Sequence, residues 1–165
     1  MKKIVLAAFA VAIAVPAAAA PGDSASTSGT ATAEIVSPIA ITHDAAASLN
    51  FGTIVPGTNA GTVTVSASTG VATGDAEATV ITGATSSADS FTVTGDDGRG
   101  FDISTTGGSV VSGGNSMTFT TSPSAATGTL TGGTASFTVG GALSVGGAQA
   151  GGTYNGTYTA SVAYN

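Results

Sequence analysis

What most limits this chain is an alternation of apolar and polar residues with period two, broken by glycine-rich turns roughly every 8–12 residues. Successive side chains of a strand point to opposite faces, so this pattern builds half-buried strands and lays no stripe along a helix. It starts in TATAEIVSPIAIT, where Ala31, Ala33, Ile35, Ile39 and Ile41 share a face. Pro38 falls on the other face and limits pairing there, which predicts an edge strand or one that changes partner. Further on, Leu49 and Phe51 alternate before a Pro56-Gly57 turn, and Val63, Val65 and Ala67 share a side. EATVIT, then Phe91 with Val93, Phe101 with Ile103, and Met117 with Phe119 continue the rhythm. Short strands are expected at Thr129–Leu130, Phe137–Val139 and Leu143–Val145, and a last one presents Tyr158, Ala160, Val162 and Tyr164 on one face. TGDDGRG predicts a hairpin between SFTVT and FDIST, and GGSVVSGGNS reads as a second turn-rich patch. About nine or ten short strands at this spacing predict an all-β, immunoglobulin-like β-sandwich. No fixed repeat period points to a solenoid.

Composition narrows the function classes. Lys2 and Lys3, the apolar run Ile4 to Val15, and Pro16 followed by Ala17 to Ala20 form a secretory signal peptide, residues 1–19, with alanine at −1 and −3 of the cut. Sec-dependent export through the periplasm to the cell surface or exterior is therefore expected. Residues 20–28 read as a flexible leader, and 29–165 as the β-sandwich domain. Once the signal is removed, Arg99 is the only Lys or Arg against nine Asp and Glu, which leaves no basic footprint for nucleic acid or anionic lipid. The chain has no cysteine, so disulfides, thiol chemistry, cysteine-based zinc sites and lipoprotein anchoring are excluded. No apolar run after the signal approaches the roughly 20 residues of a spanning helix, and no membrane insertion is expected.

Candidate chemistry is sparse, and no cofactor is implied. His43, the only histidine, stands beside Asp44 at a strand end, but no nucleophile elbow accompanies it. A surface histidine in a turn is the default reading. Asp96, Asp97 and Asp102 flank Gly98 and Gly100 and could offer oxygen ligands to Ca²⁺. The stretch lacks the EF-hand spacing and its bidentate Glu, and Asp-Gly is also what a tight turn demands. No pair of acids is placed for glycoside hydrolysis. The expectation is a protein that is not an enzyme.

The two ends carry a resemblance. The final fourteen residues, GTYNGTYTASVAYN, place Gly152 fourteen from the end and Tyr164 next to last. This pattern resembles the closing strand of chaperone–usher pilins. TATAEIVSPIAITHDAAASLNFGTIVPG, with Leu49-Asn50-Phe51-Gly52, is similar to the start of the spore coat protein U and archaic pilin group. The mature chain as a whole resembles an uncharacterised family of secreted pilin-like β domains. It departs from the better-described pilins in lacking a disulfide near the first strand. The resemblance implies a sandwich left incomplete and completed by a donor strand from a neighbouring subunit. The donor would be residues 29–36, inserting Ala31, Ala33 and Ile35. The acceptor edge would include Gly152, Tyr158, Ala160, Val162 and Tyr164. Like subunits are the implied partners, with a periplasmic chaperone and an outer-membrane usher during assembly. Three readings stay open beside this filament subunit: a self-complete surface adhesion or binding module, a small outer-membrane barrel, and an enzyme. The barrel is poorly served by an aromatic content of 5%.

Overall fold

The computed structural model describes Gly22 and residues 24–165; the signal peptide expected over residues 1–19 lies outside the described residues. The chain divides after Glu34 into two units. In the first, residues 24–34 carry no regular secondary structure and their side chains are exposed.

The second unit converts the alternation into thirteen strands, with no helix among the described residues. In chain order they are β1 Ala40–His43, β2 Ile54–Pro56, β3 Gly61–Val65, β4 Ala72–Gly74, β5 Ala78–Val80, β6 Asp89–Thr94 and β7 Gly100–Thr105. There follow β8 Gly108–Ser112, β9 Asn115–Pro123, β10 Thr127–Thr129, β11 Thr134–Val145, β12 Asn155–Gly156 and β13 Ala160–Tyr164. All pairings are antiparallel. One sheet runs β1-β6-β11-β9-β8-β12, with β3 also on β11 and β4 on β3. The other layer is split into a β10-β7-β13 sheet and a β2-β5 pair. The fold is an all-β, immunoglobulin-like sandwich.

Strand β1 starts only after Pro38, which has no N–H to give a ladder. It lies at an edge of the large sheet, with Ile41 opposite Val93 and His43 opposite Phe91. Segment 29–36 forms no strand.

Strand β11 is the spine. Its twelve residues span roughly 40 Å. Residues Thr134–Val139 pair with β6, and Gly141–Val145 pair with β3 on that same edge, while β9 holds the opposite edge. The two short strands expected at 137–139 and 143–145 are thus one. Gly140 and Gly141 do not break it, because they answer a close approach and not a turn. A Cβ on Gly140 would lie 2.3 Å from the Val65 carbonyl oxygen, and one on Gly141 2.3 Å from that of Thr120.

Two turn expectations are corrected. TGDDGRG does not close a hairpin, since β6 and β7 belong to different sheets. It arches between the layers, and its backbone groups are met by the 130–133 turn: Gly98 N–H donates to Leu130 O at 2.8 Å, and Leu130 N–H to Arg99 O at 2.9 Å. The hairpin lies instead in GGSVVSGGNS, where β8 and β9 meet around Gly113-Gly114, with Ser112 opposite Asn115. Gly113 has φ of 59°, the left-handed conformation a two-residue loop requires.

The inward parity of the strands supplies two apolar clusters along the spine. One gathers Phe91, Val93, Phe101, Ile103, Leu130, Phe137 and Val139. The other gathers Phe51, Val63, Val65, Ala78, Met117, Phe119, Leu143 and Val145. Tyr158 packs against both.

Candidate functional site

The split second layer creates the candidate site. Over the first cluster lies the three-stranded β10-β7-β13 sheet; over the second lies only β2-β5, three residues in each strand. Strand β2 bonds to β5 alone and β13 to β7 alone, so each has one edge without a strand partner among the described residues. Next to the short pair runs a groove of about 1110 Å³, lined by the 48–56 and 149–158 segments. Its floor is the inner face of the large sheet: Val110, Met117, Phe119, Leu143 and Val145. A sandwich core is normally covered by its second layer. Here part of that cover comes from irregular segments in place of strands.

At one end of the groove stands a buried carboxylate. Asp89, 4% exposed, accepts at Oδ1 from His43 Nε2 (2.7 Å) and from the Ser90 N–H (2.9 Å). Its Oδ2 accepts from the Tyr158 hydroxyl at 2.7 Å. These bonds tie β1, β6 and the segment leading into β13, and they satisfy a charge that would otherwise be costly to bury. The Tyr158 ring meets Phe91 and Phe119 edge-on, each with centroids 6.2 Å apart. Burial pushes the Tyr158 phenol well above the usual tyrosine range, and the hydrogen bond to Asp89 and its charge push the same way. Sequence reasoning missed Asp89, although a signal existed. It shares the parity of Phe91 and Val93, so an acid sits on the buried face of a strand.

The residues singled out from sequence fall as follows. Ala31, Ala33 and Ile35 are exposed and lie outside any strand; Ile35 is 96% exposed. Gly152 lies in the loop before β12, exposed. Ala160, Val162 and Tyr164 are the inward face of β13, half-buried against the first cluster beside Ile39 and Ile41. The Tyr164 hydroxyl donates to Ser37 O (2.8 Å) and accepts from the Asp96 N–H (2.7 Å). The three acids weighed for calcium are drawn to separate partners. Asp96 accepts from Arg99 Nε at 3.0 Å, Asp97 from the Gly132 N–H at 2.7 Å, and Asp102 from Asn165 Nδ2 at 3.2 Å. No group of three or more metal-binding side chains forms among the described residues. His43 faces Asp89, not its neighbour Asp44, whose carboxylate accepts from Ser90 Oγ (2.5 Å) and Thr92 Oγ1 (3.1 Å). Among the described residues no helix is long and apolar enough to cross a membrane.

Residues 39–164 match the family model of a domain of unknown function, DUF4402, and the chain belongs to that family. The match covers β1 through β13 and leaves residues 29–36 outside it. No curated protein and no solved structure matches the chain.

Proposed function

Starting from membership of a family that brings no activity with it, we propose that this chain is a structural subunit of a surface filament or fimbria-like envelope assembly, polymerising by β-strand donation. One observation carries the reading: among the described residues the alternating segment 29–36 forms no strand and Ile35 is 96% exposed, while the second layer leaves strand edges unpaired. Burying an Ile side chain contributes roughly 1.5–3 kcal/mol and an Ala much less, so most of the hold comes from main-chain pairing along an open edge. The chain is exported through the Sec pathway, passes the periplasm and ends at the cell surface or outside the cell. Its partners are like subunits, with a periplasmic chaperone and an outer-membrane usher guarding the open edge in transit. It is not an enzyme, it binds no nucleic acid and it is not inserted in the membrane.

Protein recovered from the cell surface is expected to run as an SDS-resistant ladder that collapses on boiling. Deleting residues 20–36 should leave folded monomers that cannot join. A mature chain that stays a monodisperse, heat-stable monomer at high concentration would refute the reading. It would favour the second one, a self-complete surface adhesion module. That alternative draws on one feature: β13 is already paired with β7, and the cluster beneath it is closed within one chain.

A further inference from the structure

We infer that the donated segment of a second copy enters the groove between β2 and Tyr158, over the Phe51–Phe119 cluster, and not the tyrosine-bearing face of β13. This rests on the strand-donation reading and fixes its acceptor site.

Space is the first argument. On the β13 side, Ala160, Val162 and Tyr164 already pack with Ile39 and Ile41 on a cluster of their own chain, and none of the three lines the groove. Beside β2 the floor of the large sheet lines an open groove of about 1110 Å³. Chemistry is the second. The histidine and acid of the groove, His43 and Asp89, are bonded to each other, and its other titratable lining groups are Tyr154 and Tyr158. Such a groove suits an uncharged, alternating strand. With Ala31, Ala33 and Ile35 turned inward, Glu34 falls on the opposite parity, toward water.

Polarity is the third argument, and it selects a second copy over the chain's own segment. The Tyr164 hydroxyl holds Ser37 O, so the residue that follows the arm is fixed at the Tyr164 end of β13. The groove lies at the Tyr158 end. Six residues of near-extended chain separate the two tyrosines, roughly 20 Å. The point from which the arm departs and the groove are thus at different ends of β13. A contact between the two does not close on itself and propagates as a fibre.

The chain has no cysteine, so engineered pairs report without background. We would combine Ile35→Cys with Leu49→Cys, in the groove, and separately with Val162→Cys, on β13, in the full mature protein. Thr157→Cys, exposed in the groove lining, replaces Leu49→Cys should that variant not fold. The expected result is a ladder that survives boiling and collapses only with reductant, from the groove pair alone. A covalent ladder from the Val162 pair alone, or none from either pair while the parent still polymerises, overturns the groove assignment and leaves strand donation standing. A disulfide-closed monomer from the groove pair means that the chain fills its own opening, which overturns the inference. A parent that never forms a ladder removes the donation reading itself.

Discussion

The two halves of the sandwich share one spine strand yet differ in closure. Around Phe137 and Val139, β11 is covered by three second-layer strands and flanked by β6, with β1 beyond it and Ile39 and Ile41 against the cluster. Around Leu143 and Val145 it is covered by a pair of three-residue strands, and the remainder opens into the groove. The side chains are equally apolar, so hydrophobicity does not set the difference. The number of strands supplied above does. The floor residues Met117, Phe119, Leu143 and Val145 are themselves buried, so what the open half offers another chain is a groove beside an unpaired strand edge.

The comparison breaks most directly on core truncations. Phe101 is 1% exposed and Leu130 0% exposed in the closed half, and neither lines the groove. Phe101→Ala is expected to cost about 3–5 kcal/mol and Leu130→Ala about 2–5 kcal/mol, read from denaturant midpoints. Met117, 9% exposed at the groove floor, should fall at or below the bottom of the latter range, because the site can collapse or admit water. Equal costs for Met117→Ala and Leu130→Ala would mean that the two halves are equally sealed.

A smaller effect sharpens the boundary between the halves. Asp89 joins them through Tyr158, so Asp89→Asn replaces an acceptor oxygen with an NH₂ in a buried site receiving three donors. Loss of hydrogen bonds to a buried charge is expected to cost about 1.5–3 kcal/mol. The Tyr158 ring should also lose its fixed orientation, seen as a change in near-ultraviolet circular dichroism. A variant as stable as the parent with an unchanged aromatic spectrum would show that Asp89 is not what positions the groove wall.

Much of this fold was legible in the sequence because a strand's parity survives any topology. Val63, Val65, Phe91, Val93, Phe101, Ile103, Met117 and Phe119 were read as strand-face residues and are buried. Connectivity was less legible. TGDDGRG has the same turn chemistry whether it closes a hairpin or arches between sheets, and only the distant 130–133 turn decides. Gly140-Gly141 looks like a break until the carbonyls of Val65 and Thr120 are in place beside it. The carboxylate site shows the same division. His43 follows Ile39 and Ile41 in parity, and Asp89 precedes Phe91 and Val93, so the alternation puts both on one face. The default reading of a surface histidine overlooked the pair, and the His43 side chain does stay 48% exposed. Their meeting depends on β1 lying antiparallel on β6 in the observed register, and Tyr158 arrives from a segment 69 residues away. The groove has no signature in the alternation, since it lies where the described residues supply no second-layer strand, although Gly152 and Tyr158 of the expected acceptor edge both line it.

The smallest expected effect concerns the phenol at the junction. Burial first, and then the hydrogen bond and charge of Asp89, hold the Tyr158 hydroxyl protonated in the folded state beyond the pH at which a free tyrosine ionises, about 10. The folded value is raised, so the protonated phenol favours the native state fully below that pH. As pH rises further, the unfolded chain releases its proton and the folded chain does not, and stability falls with pH. The open half should feel this loss through its Tyr158 wall. Subtracting the alkaline absorbance titration of Tyr158→Phe from that of the parent isolates this one phenol. Its tyrosinate signal is expected as a steep step that coincides with loss of the sandwich by circular dichroism. A gradual ionisation near pH 10 with the fold intact would mean that water reaches the hydroxyl freely, and that the groove opens past Tyr158 into the closed half as well.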